Sequence, residues 1–94
     1  MMIYKINIMG VEYKLTHPIE IDERETWQGG KRMYVLESKE FGLLSYHTNL
    51  NSSRSVMIES VNLLINSHIH EDYSDPKCKR ALKFQNMMKR HIYG

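Results

Sequence analysis

DPKCKRALKFQNMMKRHIY, residues 75–93, decides how the rest of the chain is read. Asp75 followed by Pro76 is a helix start: a carboxylate that accepts from free first-turn amides, then a ring whose missing N–H costs nothing there. Projected at about 100° per residue, Cys78, Ala81, Leu82, Phe84, Met88 and Ile92 gather on one side, interrupted by Gln85 and Lys89. Lys79, Lys83, Asn86 and Arg90 fall within about 60° on the opposite side, with Arg80 and Met87 beside them. The spacing predicts an amphipathic helix over 75–92. From Pro76 onward there are six Lys/Arg and no acid, whereas the residues before it hold seven Lys/Arg against eleven Asp/Glu. The net charge of +2 therefore conceals two parts of opposite sign, an asymmetry that points to an interaction surface.

Upstream of this segment, Met57, Ile58, Val61, Leu64, Ile65, His68 and Ile69 occupy an arc of about 140°, while Glu59, Asn62, Asn66 and His70 lie away from it. A second amphipathic helix is predicted over 52–70, with Ser52 or Ser53 as its cap. Before it, residues 1–48 read as strands. Met2, Tyr4, Ile6 and Ile8 alternate with polar residues, as do Val11, Tyr13 and Leu15, and Met9-Gly10 is a two-residue hairpin connection. His17-Pro18 ends the second strand or leaves it at an edge, because Pro cannot donate to a ladder, and Ile19 and Ile21 extend it only after a kink. Asp22–Arg32 is the most polar stretch and holds Gly29-Gly30; it is read as a loop or hairpin tip. Met33–Ser38 and Gly42–Thr48 form a second strand pair rich in aromatic and branched residues. The fold expected is a single α+β domain, residues 1–94. It comprises a four-stranded, mainly antiparallel sheet of two hairpins followed by two amphipathic helices, in the order ββββαα.

The composition, 41% apolar and 26% charged over 94 residues, is that of a small globular domain. Its core is small, leaving apolar surface for a partner or a second copy. Cys78 is the only cysteine, which excludes an internal disulfide and suits a reducing compartment. No apolar run approaches the roughly 18 residues that span a bilayer, and the first residues lack a signal-peptide pattern. No membrane association and a cytoplasmic location are expected.

Chemistry-bearing patterns are few. A row of cations along one helix face suits a phosphate backbone or an acidic protein surface; it also suits a solvated face that keeps the protein soluble. No glycine-containing turn joins the two helices, as helix-turn-helix readers would have it. Tyr4, Tyr13, Tyr34 and Tyr46 read as sheet and core packing rather than a base-stacking platform. His68 sits on the apolar arc and reads as a hydrogen-bonded core histidine. His68 and His70 stand about 160° apart, which spoils joint metal binding. A metal site of His70, Glu71 and Asp72 is the weakest alternative. Cys78 has the flanking lysines and first-turn position that activate a thiol, yet falls on the apolar stripe, where thiols are inert. No catalytic constellation, glycine-rich phosphate loop, cofactor motif or metal-ligand spacing is present. Trp27 is either a projecting anchor in a polar loop or a cover over the sheet edge. Val56 and Leu63, seven apart, form a small apolar strip on the polar back of the first helix.

Residues 33–64, MYVLESKEFGLLSYHTNLNSSRSVMIESVNLL, carry Glu40-Phe41-Gly42, Ser45, Thr48 and a helix start at Ser53. Over about a third of the chain this layout resembles the strand-turn-strand-helix core of HicB-type antitoxins. The resemblance implies a shared supersecondary arrangement. The proline-rich turn and the glycine before the threonine are absent here, and a basic helix follows where a strand belongs.

The reading is a small, non-catalytic binding or regulatory protein. It associates with nucleic acid through Lys79, Arg80, Lys83, Asn86 and Arg90. The alternative is an adaptor or inhibitor, such as a phage or mobile-element accessory protein, that docks on an acidic partner through the same cations, with Trp27, Val56 and Leu63 as apolar anchors. Exposed sheet edges also allow a homodimer.

Overall fold

A computed structural model describes all of residues 1–94. The chain is α+β: β1 (Met2–Ile8), β2 (Val11–Glu20), β3 (Asp22–Gln28), β4 (Lys31–Ser38), β5 (Leu43–His47), α1 (Leu50–His68) and α2 (Lys79–Tyr93). A single 3-10 turn, Pro76–Cys78, leads into α2. The strands form two sheets, β1-β2 and β3-β4-β5. This corrects the single four-stranded sheet expected from the sequence. By contacts the chain divides into two compact units, Met1–Ile3 with Glu20–Val61, and Tyr4–Ile19 with Asn62–Gly94.

The additional strand is β3, expected to be loop. Every residue of Asp22–Gln28 except the half-buried Thr26 is exposed, so no apolar alternation announces it. It forms because Gly29 and Gly30 take φ of +56° and +76°, the paired left-handed conformation of a tight hairpin turn. The turn aligns β3 antiparallel to β4, from Asp22 opposite Glu37 to Gln28 opposite Lys31. Side-chain pairs between the two strands take the place of core contacts. Arg24 Nη1 lies 3.1 Å from Glu37 Oε1, and Arg32 Nε lies 3.7 Å from Glu25 Oε2. β5 pairs antiparallel with the other side of β4.

In the first unit this three-stranded sheet and the first part of α1 bury Ile3, Ile21, Val35, Leu36, Phe41, Met57 and Val61. Asn49, not Ser52 or Ser53, caps α1: its Oδ1 accepts from the Ser52 N–H at 3.1 Å. Ser53 is instead fully buried. Its hydroxyl donates to the Tyr34 carbonyl at 3.1 Å, and Ser45 donates to the Ser53 carbonyl at 3.0 Å. Two small hydroxyls at this contact let helix and sheet approach closely with every polar atom satisfied. Arg54 closes the same side with a fork onto Glu23, at 2.6 and 2.9 Å.

The second unit holds most of the β1-β2 hairpin, the rest of α1, and α2. Met9 and Gly10 adopt φ of +50° and +82°, the turn expected there. β2 runs through Pro18 to Glu20 instead of stopping at it, and Ile21 just beyond exchanges both backbone bonds with Met1, at 2.8 and 2.9 Å. A two-stranded sheet leaves one side of β2 without a strand partner, so the missing N–H of Pro18 is tolerated. The alternation in β1 also departs from expectation. Ile3, Ile6 and Ile8 are buried, while Met2 and Tyr4 are 43% and 58% exposed. The core of this unit is Ile6, Ile8, Leu15, Ile19, Ile65, Ile69, Met87, Met88 and Ile92.

Two asparagines of α1 fasten the edge of β1. Asn62 Oδ1 accepts from the Asn7 N–H at 3.0 Å. The Asn66 carboxamide accepts from the Met9 N–H and donates to the Asn7 carbonyl, both at 2.7 Å. That amide occupies the place a peptide group of a neighbouring strand would take.

Candidate functional site

α2 is assembled from its N-terminus by Asp75, whose Oδ1 accepts from the Lys77 N–H at 2.8 Å while Pro76 begins the 3-10 turn. The expected start signal is therefore present, one turn ahead of the α-helix proper. The helix ends where the Gly94 N–H bonds to the Arg90 carbonyl at 3.2 Å. Between these ends, Gln85, Met87, Met88, His91 and Ile92 are buried, and Cys78, Ala81 and Phe84 are half-buried. Met87, expected beside the basic row, lies under the helix, and Leu82, expected on the apolar stripe, is 38% exposed. The buried face is thus turned from its expected position.

Two polar residues explain the turn. Gln85 Nε2 reaches the end of α1 and donates to the carbonyls of His68 at 2.6 Å and Glu71 at 2.8 Å, with Ile69 at 3.3 Å. These carbonyls close a helix end or follow it, where the helical ladder stops; of the three, the His68 carbonyl also accepts from the Glu71 N–H at 3.1 Å. His91 Nδ1 donates to the His17 carbonyl at 2.8 Å, and Thr16 Oγ1 donates to the Ile92 carbonyl at 3.1 Å. Burial of Gln85 and His91 costs little because each finds carbonyl acceptors. The spacing puts Gln85 on the apolar side only as an interruption, and hydropathy gives His91 no place in the core.

The opposite face collects the predicted residues. Lys79, Arg80, Lys83, Asn86 and Arg90 are all exposed, as is Lys89. The row from Lys79 to Arg90 spans about 16 Å at 1.5 Å per residue. Ion pairs elsewhere engage Lys5, Arg24, Arg32, Arg54 and the terminal amine; none involves Lys79, Arg80, Lys83, Lys89 or Arg90. The acids gather elsewhere in the chain. In the first unit, Glu20, Asp22, Glu37 and Glu40 line an open concavity together with Lys39.

The other candidates stand apart from this row. Trp27 is 66% exposed on β3, with the Arg32 guanidinium carbon 5.5 Å from its ring centre. The guanidinium is held protonated chiefly by its hydrogen bond with Tyr34 and then by Glu25. Trp27 and Val56 belong to the first unit, Leu63 and α2 to the second. Val56 and Leu63 are 46% and 69% exposed, and Ser60 and Ser67 spend their hydroxyls on the Val56 and Leu63 carbonyls at 2.8 and 2.7 Å. Tyr4, Tyr13 and Tyr46, expected to pack, are all exposed, whereas Tyr34 is half-buried.

His68 is half-buried at the end of α1, its Nδ1 hydrogen-bonded with the Tyr73 hydroxyl and its ring edge-on to Phe84 at 5.6 Å. Desolvation, then the electrostatic influence of Glu71, push the Tyr73 phenol upward. Asp72 turns back on Ser74, whose hydrogen bonds lower its carboxyl pKa. No group of three or more His, Cys, Asp or Glu side chains is arranged to hold a metal ion. No helix is long and apolar enough to cross a membrane. Family models, curated proteins and solved structures contain no match to this chain.

Proposed function

We propose that this is a small, non-catalytic binding protein that associates with nucleic acid through the exposed face of α2. Lys79, Lys83 and Arg90 track phosphates, Arg80 and Lys89 flank them, and Asn86 supplies a neutral donor and acceptor among them. One observation carries the reading. The cations of this helix are exposed and in no ion pair, while its other face alone holds it to the fold. A polyanion is the ligand whose charge spacing repeats along such a row, and release of its counterions drives the association.

The test is direct titration of labelled single-stranded and duplex oligonucleotides at two salt concentrations. The expected result is binding that weakens steeply with salt and is abolished by Lys83→Glu with Arg90→Glu. Binding unchanged in that double variant overturns the assignment.

The second reading is docking on an acidic protein, and the observation favouring it is the exposed Trp27 with Arg32 over its ring. A large aromatic with a neighbouring cation is a frequent anchor in protein interfaces. On this reading Trp27→Ala weakens binding of the partner, and oligonucleotides do not compete.

A further inference from the structure

The exposed face of α2 is not purely polar. At about 100° per residue, Leu82, Asn86, Lys89 and Tyr93 form a second row beside Lys79, Lys83 and Arg90. Tyr93 is 62% exposed and Leu82 38% exposed. Neither is needed to hold the helix down, since Met87, Met88, His91 and Ile92 do that from the other side.

A tyrosine in a final helical turn is ordinarily on a fraying end. Here that turn is pinned. His91 bonds to the His17 carbonyl at 2.8 Å, Ile92 accepts from Thr16 at 3.1 Å, and the Gly94 N–H closes onto Arg90 at 3.2 Å. Tyr93 thus projects from a fixed base, with Lys89 and Arg90 one turn before it on the same face.

We infer that the ligand of α2 is single-stranded nucleic acid, gripped by its backbone along the cation row and stacked through an unpaired base on Tyr93. This rests on the nucleic-acid reading above and goes beyond it in naming the strand state and an added contact residue. Phosphates alone give no reason for an exposed aromatic among cations. In a duplex the flat faces of the bases are already covered by their neighbours. An unpaired base offers a free face, and stacking on an aromatic ring beside backbone-tracking cations is the usual arrangement for sequence-tolerant single-strand binding. Because the backbone that carries the ring is held in place before binding, the ordering cost when a base lands on it is confined to the side chain.

The experiment measures anisotropy of a labelled mixed-sequence single strand and of its duplex, with wild type, Tyr93→Ala, Tyr93→Phe and the Lys83→Glu/Arg90→Glu double variant. Tyr93 is exposed, so its variants keep the fold, which circular dichroism checks. Wild type is expected to bind the single strand more tightly than the duplex at equal salt. Tyr93→Ala should weaken single-strand binding about 5-fold or more, Tyr93→Phe should retain it, and duplex affinity should stay unchanged in both. If Tyr93→Ala matches wild type on single strands while the double variant loses binding, the stacking inference falls and the nucleic-acid reading stands. Displacement of the strand by polyglutamate at equal charge, as effectively as by unlabelled strand, also overturns the inference. If wild type binds neither oligonucleotide, both readings fall together.

Discussion

Gln85 shows how much one side chain settles in this protein. A neutral amide in the middle of an apolar helix face reads as an interruption, yet its Nε2 serves three carbonyls at and after the end of α1. Gln85→Ala removes this donor from all three; the His68 carbonyl keeps the Glu71 N–H at 3.1 Å, but the Ile69 and Glu71 carbonyls lose the amide, and the change should cost about 1–3 kcal/mol in urea denaturation. Gln85→Glu should be no better, because a carboxylate has no hydrogen to give. Glu23 offers a second residue-level test. Its hydrogen bond with Arg54 outweighs desolvation and holds its carboxyl below the ordinary value. The folded pKa is depressed, so the stabilisation is present above the unfolded value and is lost as pH falls through the folded one. Glu23→Gln should therefore be less stable than wild type near neutrality by at most about 1 kcal/mol, since the pair is partly solvated. The two proteins should converge in denaturant midpoint once the pH is well below the carboxylate range.

At the level of elements, what could be read in advance was whatever repeats with the period of its own geometry. The Met9-Gly10 hairpin, β4, β5 and both helices stand out in the residue order, since each couples a turn or cap signal to an apolar rhythm. The strand-turn-strand-helix layout over 33–64 is present as β4, β5 and α1. β3 does not stand out. Its partners are charges and an aromatic on an open face, and its order comes from the Gly29-Gly30 turn and the β4 ladder. The face of α2 was legible within a fraction of a turn. It was displaced because Gln85 and His91 bury polar groups on tertiary acceptors that lie distant in sequence. The basic row itself was visible, because Lys and Arg do not enter a core without partners. Two variants test these elements. Gly30→Val forces a branched residue into a left-handed conformation at φ +76° and should destabilise the β3-β4 hairpin by about 1 kcal/mol or more. Asn66→Leu removes the amide from the β1 edge, leaving the Met9 N–H and Asn7 carbonyl open. Its expected signature is concentration-dependent association in sedimentation, through strand pairing at the bared edge.

For the whole molecule the governing quantity is the uneven distribution of charge, not its small sum. If α2 neutralises phosphates with Lys79, Arg80, Lys83, Lys89 and Arg90, log affinity should fall against log salt with a slope of about −3 to −4 on single strands. Each cation replaced by Gln should flatten that slope by about 0.7. Titrations across a potassium chloride series check both figures. Because the fold grips α2 from beneath and leaves its outer cations out of any ion pair, the residues that hold the helix and those proposed to meet a ligand occupy separate sides of one short cylinder. The outer side is therefore open to rewriting: a chosen binding specificity could be engineered onto it without renegotiating how the chain folds.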